Sequence, residues 1–549
     1  MISLSKTLLG LAGATALLAG PALAADATRP VVAAPAGTVE GVVDGGLLAF
    51  KGLPYAAPPV GAGRWRPPAP AASWTGIRDA GQFGAACIQP TPGPPSVYST
   101  TPVPTSEDCL TLNIWTRSTT GKAPVFVWIH GGSLTSGTSR SNGYNGVKLA
   151  KTGTVVVSIN YRLGALGYLS HPELSKESPD GVSGNYGLLD QIAALRWVQR
   201  NIAAFGGDPA NVTIVGESAG ALSVMYLMAS PPARGLFQKA IAQSAYMIST
   251  PDLKAARYGA PSGEGAGVYV AGALKAWNLA ALRAMDPQVV TDGAAKAGFL
   301  PFGVVDGKVL TRQLVDTFDR GEQAPVPILA GFNSGEIRAL RFLAPPTPTS
   351  AAVYERTIRE RYGDLADAFL ALYPSSNLEE SVLATTRDAL YGWTAERLVR
   401  SQTKVGQPSF LYLWDHGYPA ADQAGVHAFH ASEIPFVFGN MDRTGPRWPK
   451  SPDTAEERDL SQAMIGYWTS FARTGRPQAT GAAEWPAYAP QGGYLAFRQK
   501  PEADADLMPG MFALHERAMC RRRADGSLAW NWNVGLVSPV LPGPTPACP

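Results

Sequence analysis

Long apolar runs are missing from most of this 549-residue chain. Beyond the opening two dozen positions no stretch of about 18 apolar residues occurs, which excludes a conventional membrane-spanning helix. Excess charge of either sign is missing too. Its 46 basic and 43 acidic residues give a formal charge of +3, too balanced to imply a nucleic-acid or anionic-lipid partner. Cysteine is scarce, at four residues, and none are spaced as CxxC, so a zinc cluster lacks its ligand set. Internal repeats and a clean linker are also absent, and nothing divides the chain into modules. What remains is 45% hydrophobic and 16% charged, ample for one large buried core. With 59 glycines and 47 prolines, much of the chain must be loop, where catalytic groups tend to gather.

The opening residues have the pattern of a secretory leader. Lys6 supplies a positive start, Leu8 to Ala19 a short apolar run, and Ala22-Leu23-Ala24 small residues at the cleavage positions. Cleavage is expected after about Ala24. The run is too short and too interrupted by glycine to anchor the chain in a membrane. An exported protein, secreted or periplasmic, is expected, with residues 25–549 forming a single domain. The cysteines agree: Cys87, Cys109, Cys520 and Cys548 are an even set, consistent with two disulfides and three pairings. Pairing of neighbours is expected, Cys87 with Cys109 and Cys520 with Cys548. The stretch from Ile88 to Asp108 carries six prolines and would otherwise be hard to hold down.

Short apolar runs, most of them rich in β-branched residues, predict strands at Val125 to Ile129, Thr154 to Ile159, Val212 to Val215, Pro327 to Ala330 and Ser409 to Trp414. Unbroken runs of this kind sit in a sheet covered on both faces. Tyr186 to Asn201 places Leu188, Ile192, Leu195 and Val198 on one face and predicts a helix. Alternation of the two predicts an α/β fold, with a mostly parallel central sheet and helices on both faces.

The strongest local signal is Gly216-Glu217-Ser218-Ala219-Gly220, between the strand ending at Val215 and a helical run from Ala221 to Met228. A serine on a sharp strand-to-helix turn is exposed in a strained conformation, and only small neighbours let that turn close. The helix start beneath it favours developing negative charge. Ser218 is therefore the candidate nucleophile. It needs a base, and in the fold that carries this turn the order is serine, acid, histidine. Of six histidines, order excludes His130 and His171. His416 continues a strand and reads as a structural hydrogen bonder, and His515 lies in a late helical segment near Cys520. His427 and His430 remain, and spacing does not separate them. The acid candidate is Glu336, on a glycine-flanked loop after the strand at Pro327, where ligand chemistry gathers in open α/β sheets. Asp306, in an apparent turn, and Glu322 are rivals. His130-Gly131-Gly132-Ser133, with Gly137 further along, follows the strand at Val125 and offers backbone donors for an oxyanion, joined by the amide of Ala219.

These motifs resemble the type-B carboxylesterase/lipase family, which includes the cholinesterases. Two long matches carry the resemblance: Phe205-Gly-Gly-Asp-Pro-Ala-Asn-Val-Thr-Ile-Val-Gly-Glu-Ser218-Ala-Gly220, and Glu107-Asp-Cys109-Leu-Thr-Leu-Asn-Ile-Trp115. Asn160-Tyr-Arg-Leu-Gly164, Asn185-Tyr-Gly-Leu-Leu-Asp190, Phe299-Leu-Pro and Trp485-Pro-Ala-Tyr488 extend it over nearly the whole chain. The resemblance implies an α/β-hydrolase that cleaves small-molecule carboxylic esters through an acyl-enzyme, without metal or cofactor. It selects His430 over His427, since in the family two residues separate the histidine from Glu-Ile-Pro. It selects Glu336 from the Gly-x-Asn-x-x-Glu loop, and Gly132, Ser133 and Ala219 as oxyanion donors. It also implies the Cys87–Cys109 disulfide, structural ion pairs Arg64–Glu107 and Arg162–Asp190, and a polar layer of Glu217, Ser244 and Glu433 behind the triad.

The chain departs from the family pattern in three places. Ser133 stands where a third glycine is usual, Leu134 where an aromatic is usual. The loop from Cys87 to Cys109 holds Tyr98 but not the tryptophan on which cholinesterases stack choline. Two other readings compete with it. A catalytically inactive, cholinesterase-like binding or adhesion module would usually lose the serine or histidine, and here all three triad positions are filled. A metallohydrolase could use His427, His430 and Glu433, which recur every three residues, but Pro435 crowds any such helix. Oligomeric state has no signature in the sequence.

Overall fold

The computed structural model describes residues 29–531 and 533–548; the leader assigned to residues 1–24 lies outside them. Eleven strands form one mixed sheet: β1 (Val42–Asp44), β2 (Leu47–Pro54), β3 (Thr111–Thr116), β4 (Ala123–Ile129), β5 (Val155–Ile159), β6 (Gly207–Glu217), β7 (Lys239–Gln243), β8 (Ile328–Asn333), β9 (Ser409–Trp414), β10 (Gly493–Phe497) and β11 (Pro501–Ala505). Their spatial order is β1-β2-β3-β5-β4-β6-β7-β8-β9-β10-β11. The seven strands from β5 through β10 run parallel. Antiparallel strands flank them at both edges.

The unbroken apolar runs do what their composition demands. In β4, Val125, Val127 and Ile129 point into one core with Ile192, Leu195 and Leu222. Phe126 and Trp128 point into the other, with Phe438, Trp468 and Phe471. Three helices cover the first face: α1 (Tyr186–Asn201), α2 (Ala219–Ala229) and α3 (Trp393–Lys404). The second is covered chiefly by α4 (Ala455–Thr474). All five predicted strands lie in the sheet, and α1 has the predicted bounds. The sequence patterns missed β1, β2, β3, β10, β11 and, in the middle of the sheet, β7, Lys-Ala-Ile-Ala-Gln, whose polar ends and alanines carry little strand signal. Both ends are nevertheless buried.

Strand order positions the site. The chain leaves β4 to one side for β5, then crosses back to place β6 on the other side. Such a reversal opens a crevice at the carboxyl ends of the two diverging strands. Those ends are His130-Gly131-Gly132 and Ser218. In register, Gly216 pairs with Ile129, so the two loops start side by side.

Both neighbour disulfides form, Cys87–Cys109 and Cys520–Cys548, with Cα separations of 5.0 and 5.5 Å. Both structural ion pairs form as well. Arg64 grips Glu107 through two 2.7 Å bonds. Arg162 grips Asp190 at 2.8 and 2.7 Å, and the Arg162 amide adds a third bond at 3.0 Å. No helix among the described residues is long and apolar enough to cross a membrane.

Asp190 is fully enclosed, so truncating it leaves the Arg162 cation without its counter-charge. Asp190→Ala should lower unfolding stability by about 3–5 kcal/mol, read from denaturant melts; a melt unchanged from the parent would refute a structural role for the pair.

Candidate active site

β6 ends at Glu217, and the chain turns at Ser218 directly into α2. The turn holds Ser218 at φ 56°, ψ −122°, a region costly for a residue with a side chain. The Ser218 amide donates to the Gln243 carbonyl of β7 at 2.9 Å, tying the strained residue to the sheet. The flanking glycines are sterically required. A Cβ on Gly220 would stand 2.1 Å from the Ile129 carbonyl, and one on Gly216 2.3 Å from the Gly220 backbone.

The candidate acid comes from the loop after β8. Gly335 donates its amide to the Ala428 carbonyl at 2.9 Å and bridges to Phe429, so the acid and histidine loops are joined backbone to backbone. Glu336 is 0% exposed. Its Oε1 accepts the Asn333 amide at 2.9 Å, and its Oε2 is hydrogen-bonded to Nδ1 of His430. The opposite ring nitrogen, Nε2, lies 3.1 Å from Glu217 Oε1. That approach lacks hydrogen-bond alignment, and Glu217 Oε1 has no bonded partner. The sequence reading set Glu217 behind the triad; the structure sets it against the imidazole itself.

Further polar groups support this cluster. Glu433, also fully enclosed, accepts from Gln243 Nε2 at 2.8 Å and from Asn333 Nδ2 at 2.7 Å. Trp468 of α4 donates to Gln243 Oε1 at 3.0 Å. Ser244 is buried beside this turn at φ 50°, its amide bonded to the Gly331 carbonyl at 2.8 Å and its hydroxyl unpartnered. Two tyrosines flank the imidazole. Tyr98 donates its hydroxyl to the His430 carbonyl at 3.0 Å. Tyr391 places its ring 5.3 Å from that of His430 and stands edge-on to Tyr246. It sits on a π-helical turn, Asp388–Gly392, that leads into α3. Neither Gln243 nor Tyr391 carried a signal in the sequence, since each acts through a partner distant along the chain.

Electrostatics follow from this enclosure. Burial alone would lower the His430 pKa, but Glu217, Glu336 and Glu433 more than reverse it and raise it to about 9. Burial pushes Glu217 up to about 8 against the pull of His430, with Glu433 and Glu336 adding to the rise. Burial raises Glu433 as well.

The loop after β4 presents three successive residues at positive φ: Gly132 (104°), Ser133 (57°) and Leu134 (56°). The Gly132 carbonyl accepts the amides of Thr135 and Ser136, both at 2.9 Å, which closes the turn. Among the described residues, the amides of Gly132 and Ser133 donate to no protein acceptor. A Cβ on Gly131 would lie 3.1 Å from Ser218 Cβ, so this loop packs directly on the serine turn. Ser133 is exposed, whereas Leu134 is buried.

The remaining candidates lie elsewhere. His427 bonds Asp422 at 2.7 Å and lies 3.5 Å from Asp415, 41% exposed. His430, His427 and Glu433 therefore face different partners, and the helix beyond them starts only at Ile434. Among the described residues no group of three or more His, Cys, Asp or Glu side chains is placed to hold a metal ion. His416 bonds Glu457 at 2.8 Å, and His515 bonds the Tyr373 hydroxyl at 2.8 Å. His130 stacks on Tyr161, with its pKa lowered by burial to about 4. His171 caps a short helix by accepting the Glu173 amide. Asp306 accepts the amides of Lys308, Val309 and Leu310 and is a turn residue. Glu322 pairs with Arg312 at the surface.

A mostly parallel sheet covered on both faces, with a strained serine at the strand-order reversal, defines an α/β-hydrolase. Residues 28–509 match the Carboxylesterase family, and the chain belongs to it. It is 37% identical over 480 residues to the fumonisin B1 esterase of Sphingopyxis macrogoltabida, spanning 84% of this chain and 85% of that protein. It is 36% identical over 470 residues to the para-nitrobenzyl esterase of Bacillus subtilis (strain 168), spanning 84% and 93%. A solved structure of a PNB esterase superposes with a TM-score of 0.76 at 31% identity, over 89% of this chain and 99% of that one. A Geobacillus stearothermophilus carboxylesterase gives 0.72 at 30%, over 88% and 100%. The chain is a carboxylesterase, and its chemistry is ester hydrolysis.

The raised His430 pKa has a direct readout. NMR titration of isotope-labelled histidine should place the His430 midpoint above the ordinary value of about 6.5. Glu217→Gln removes a carboxylate that favours the imidazolium, so its midpoint should fall; an unchanged or higher midpoint would show that Glu217 carries no charge there.

Proposed function

We propose that the chain hydrolyses small-molecule carboxylic esters through a Ser218–His430–Glu336 triad and an acyl-enzyme intermediate. His430 Nε2 takes the proton of Ser218 Oγ as the oxygen attacks the ester carbonyl. The carbonyl electron pair moves onto its oxygen, which meets the amides of Gly132, Ser133 and Ala219. Collapse expels the alcohol, protonated by His430, and leaves Ser218 acylated. Water then attacks with His430 again as base, releasing the acid and restoring the serine. Glu336 orients the imidazole and stabilises its cation without itself taking the proton.

The observation that carries this reading is the Glu336–His430 hydrogen bond at Nδ1. It directs Nε2 toward the end of β6, where the neighbouring Glu217 makes a close but unaligned approach. Among the described residues Nε2 has no aligned hydrogen-bond acceptor, which suits a base that awaits the serine hydroxyl. The strain at Ser218 and the unpaired amides of Gly132 and Ser133 fit the same roles. An inactive binding module has no use for this arrangement.

The named relatives act on a fumonisin and on a nitrobenzyl ester, so the shared element is the ester group rather than one alcohol. Export of residues 25–549 as a single catalytic domain belongs to the same proposal. The leader pattern supports it, as do two disulfides of a kind that an oxidising compartment maintains.

A fluorophosphonate should inactivate the protein stoichiometrically with the label on Ser218. Ser218→Ala should lower kcat for p-nitrophenyl butyrate by at least about a thousandfold; near-parental turnover by that variant would overturn the triad.

A further inference from the structure

We infer that Gln89 and Tyr98, both within the loop closed by Cys87–Cys109, are positioning residues for the two arms of the reaction. Gln89 holds the oxyanion loop and Tyr98 holds His430. The inference rests on the triad reading above and adds residues that touch neither substrate nor reacting atoms.

Gln89 acts through its carboxamide. Oε1 accepts the Gly137 amide at 3.1 Å, and Nε2 donates to the Gly137 carbonyl at 3.2 Å. One planar side chain thus satisfies both polar backbone groups of one residue and ties down the two peptide planes that flank its Cα. Gly137 is packed against the start of its own loop. At φ 114°, a Cβ there would stand 2.4 Å from His130 Nδ1 and 2.6 Å from the Gly131 carbonyl. Gly131 in turn abuts Ser218 and Glu217. The segment from Gly131 to Gly137 therefore folds back on itself, and Gln89 is bonded to its Gly137 end. Gln89 is itself anchored, since its carbonyl accepts Gln288 Nε2 at 3.0 Å. Thr91, two residues on, bonds Asp292 through both its amide and its hydroxyl at 2.8 Å.

Tyr98 acts on the other arm. Its hydroxyl donates to the His430 carbonyl at 3.0 Å. Its ring sits 6.1 Å from Trp448 and 6.4 Å from Phe429. Phenylalanine would fill the same space and lose only the bond. The Cys87–Cys109 bridge ties the ends of the segment that carries both contacts, so a single covalent loop spans the donors of the oxyanion and the base.

The test compares Gln89→Ala, Gln89→Glu and Tyr98→Phe with the parent on p-nitrophenyl butyrate, with active sites counted by fluorophosphonate labelling. Gln89→Ala and Tyr98→Phe should each lower kcat about tenfold while KM stays within about twofold, as expected for misplaced catalytic groups. Gln89→Glu keeps the acceptor for the Gly137 amide but sets a carboxylate against its carbonyl, so its kcat should also fall. Gln89→Ala should weaken an alkyl trifluoromethyl ketone, whose hemiketal oxygen occupies the oxyanion site, by the same factor as kcat. Parental kcat per labelled site with only a lower melting temperature would overturn the inference, as would a loss confined to KM. Ser218→Ala run in parallel separates the two claims. An active Ser218→Ala protein defeats the triad, whereas an inactive one beside fully active Gln89 and Tyr98 variants defeats this inference alone.

Discussion

Glu336 holds a carboxylate where no water reaches it, and the rest of the site is arranged around that fact. A buried charge persists only with donors on its oxygens and a counter-charge within reach. The Asn333 amide serves one oxygen and His430 the other. Asn333 also serves Glu433, which Gln243 completes, and Gln243 is held by Trp468. One hydrogen-bonded chain thus runs from α4 through the ends of β7 and β8 to the imidazole. Its members are bonded in series, with Asn333 Oδ1 left unpartnered; linked bonds of this kind fix geometry more firmly than separate pairs would, which suits the role of base proposed for His430.

The sheet supplies the second half of that precision. Because β4 and β6 are neighbours in register, the turn bearing Ser218 and the loop bearing Gly132 and Ser133 leave the sheet together. Backbone contact between them allows no added atom at Gly220, and the turn's own backbone allows none at Gly216. The proposed nucleophile and oxyanion donors are therefore placed as one unit, while His430 and Glu336 arrive from loops fastened to each other at Gly335. Catalytic geometry becomes a question of how two preassembled pairs meet.

Much of this was legible in the chain. Apolar runs located five strands, because burial on both faces leaves no room for polar alternation. Gly-x-Ser-x-Gly located the turn, because sterics there admit little else. The patterns faltered where meaning is set by distant partners. His427 and His430 stand three residues apart and share a composition, yet one meets Asp422 at the surface and the other Glu336 in the interior. Only the family resemblance separated them. Gln243 and Tyr391 stayed hidden for the same reason, and β7 because two alanines and polar ends do not resemble a strand. Glu217 was recognised as part of the polar surroundings, but its closeness to Nε2 emerges only when β6 and the histidine loop are folded together.

The π-helical turn at Asp388–Gly392 bears on how such a pocket diversifies. A π turn accommodates one residue more than the α-helical ladder around it. Loss of a single residue there would restore regular winding, with the flanking helical segments keeping their faces and one side chain fewer in the turn that holds Tyr391. The aromatic wall beside His430 would then present a different side chain, while the sheet and its glycine contacts stayed as they are. One extra residue in that turn thus alters the wall beside His430 without touching the sheet beneath it.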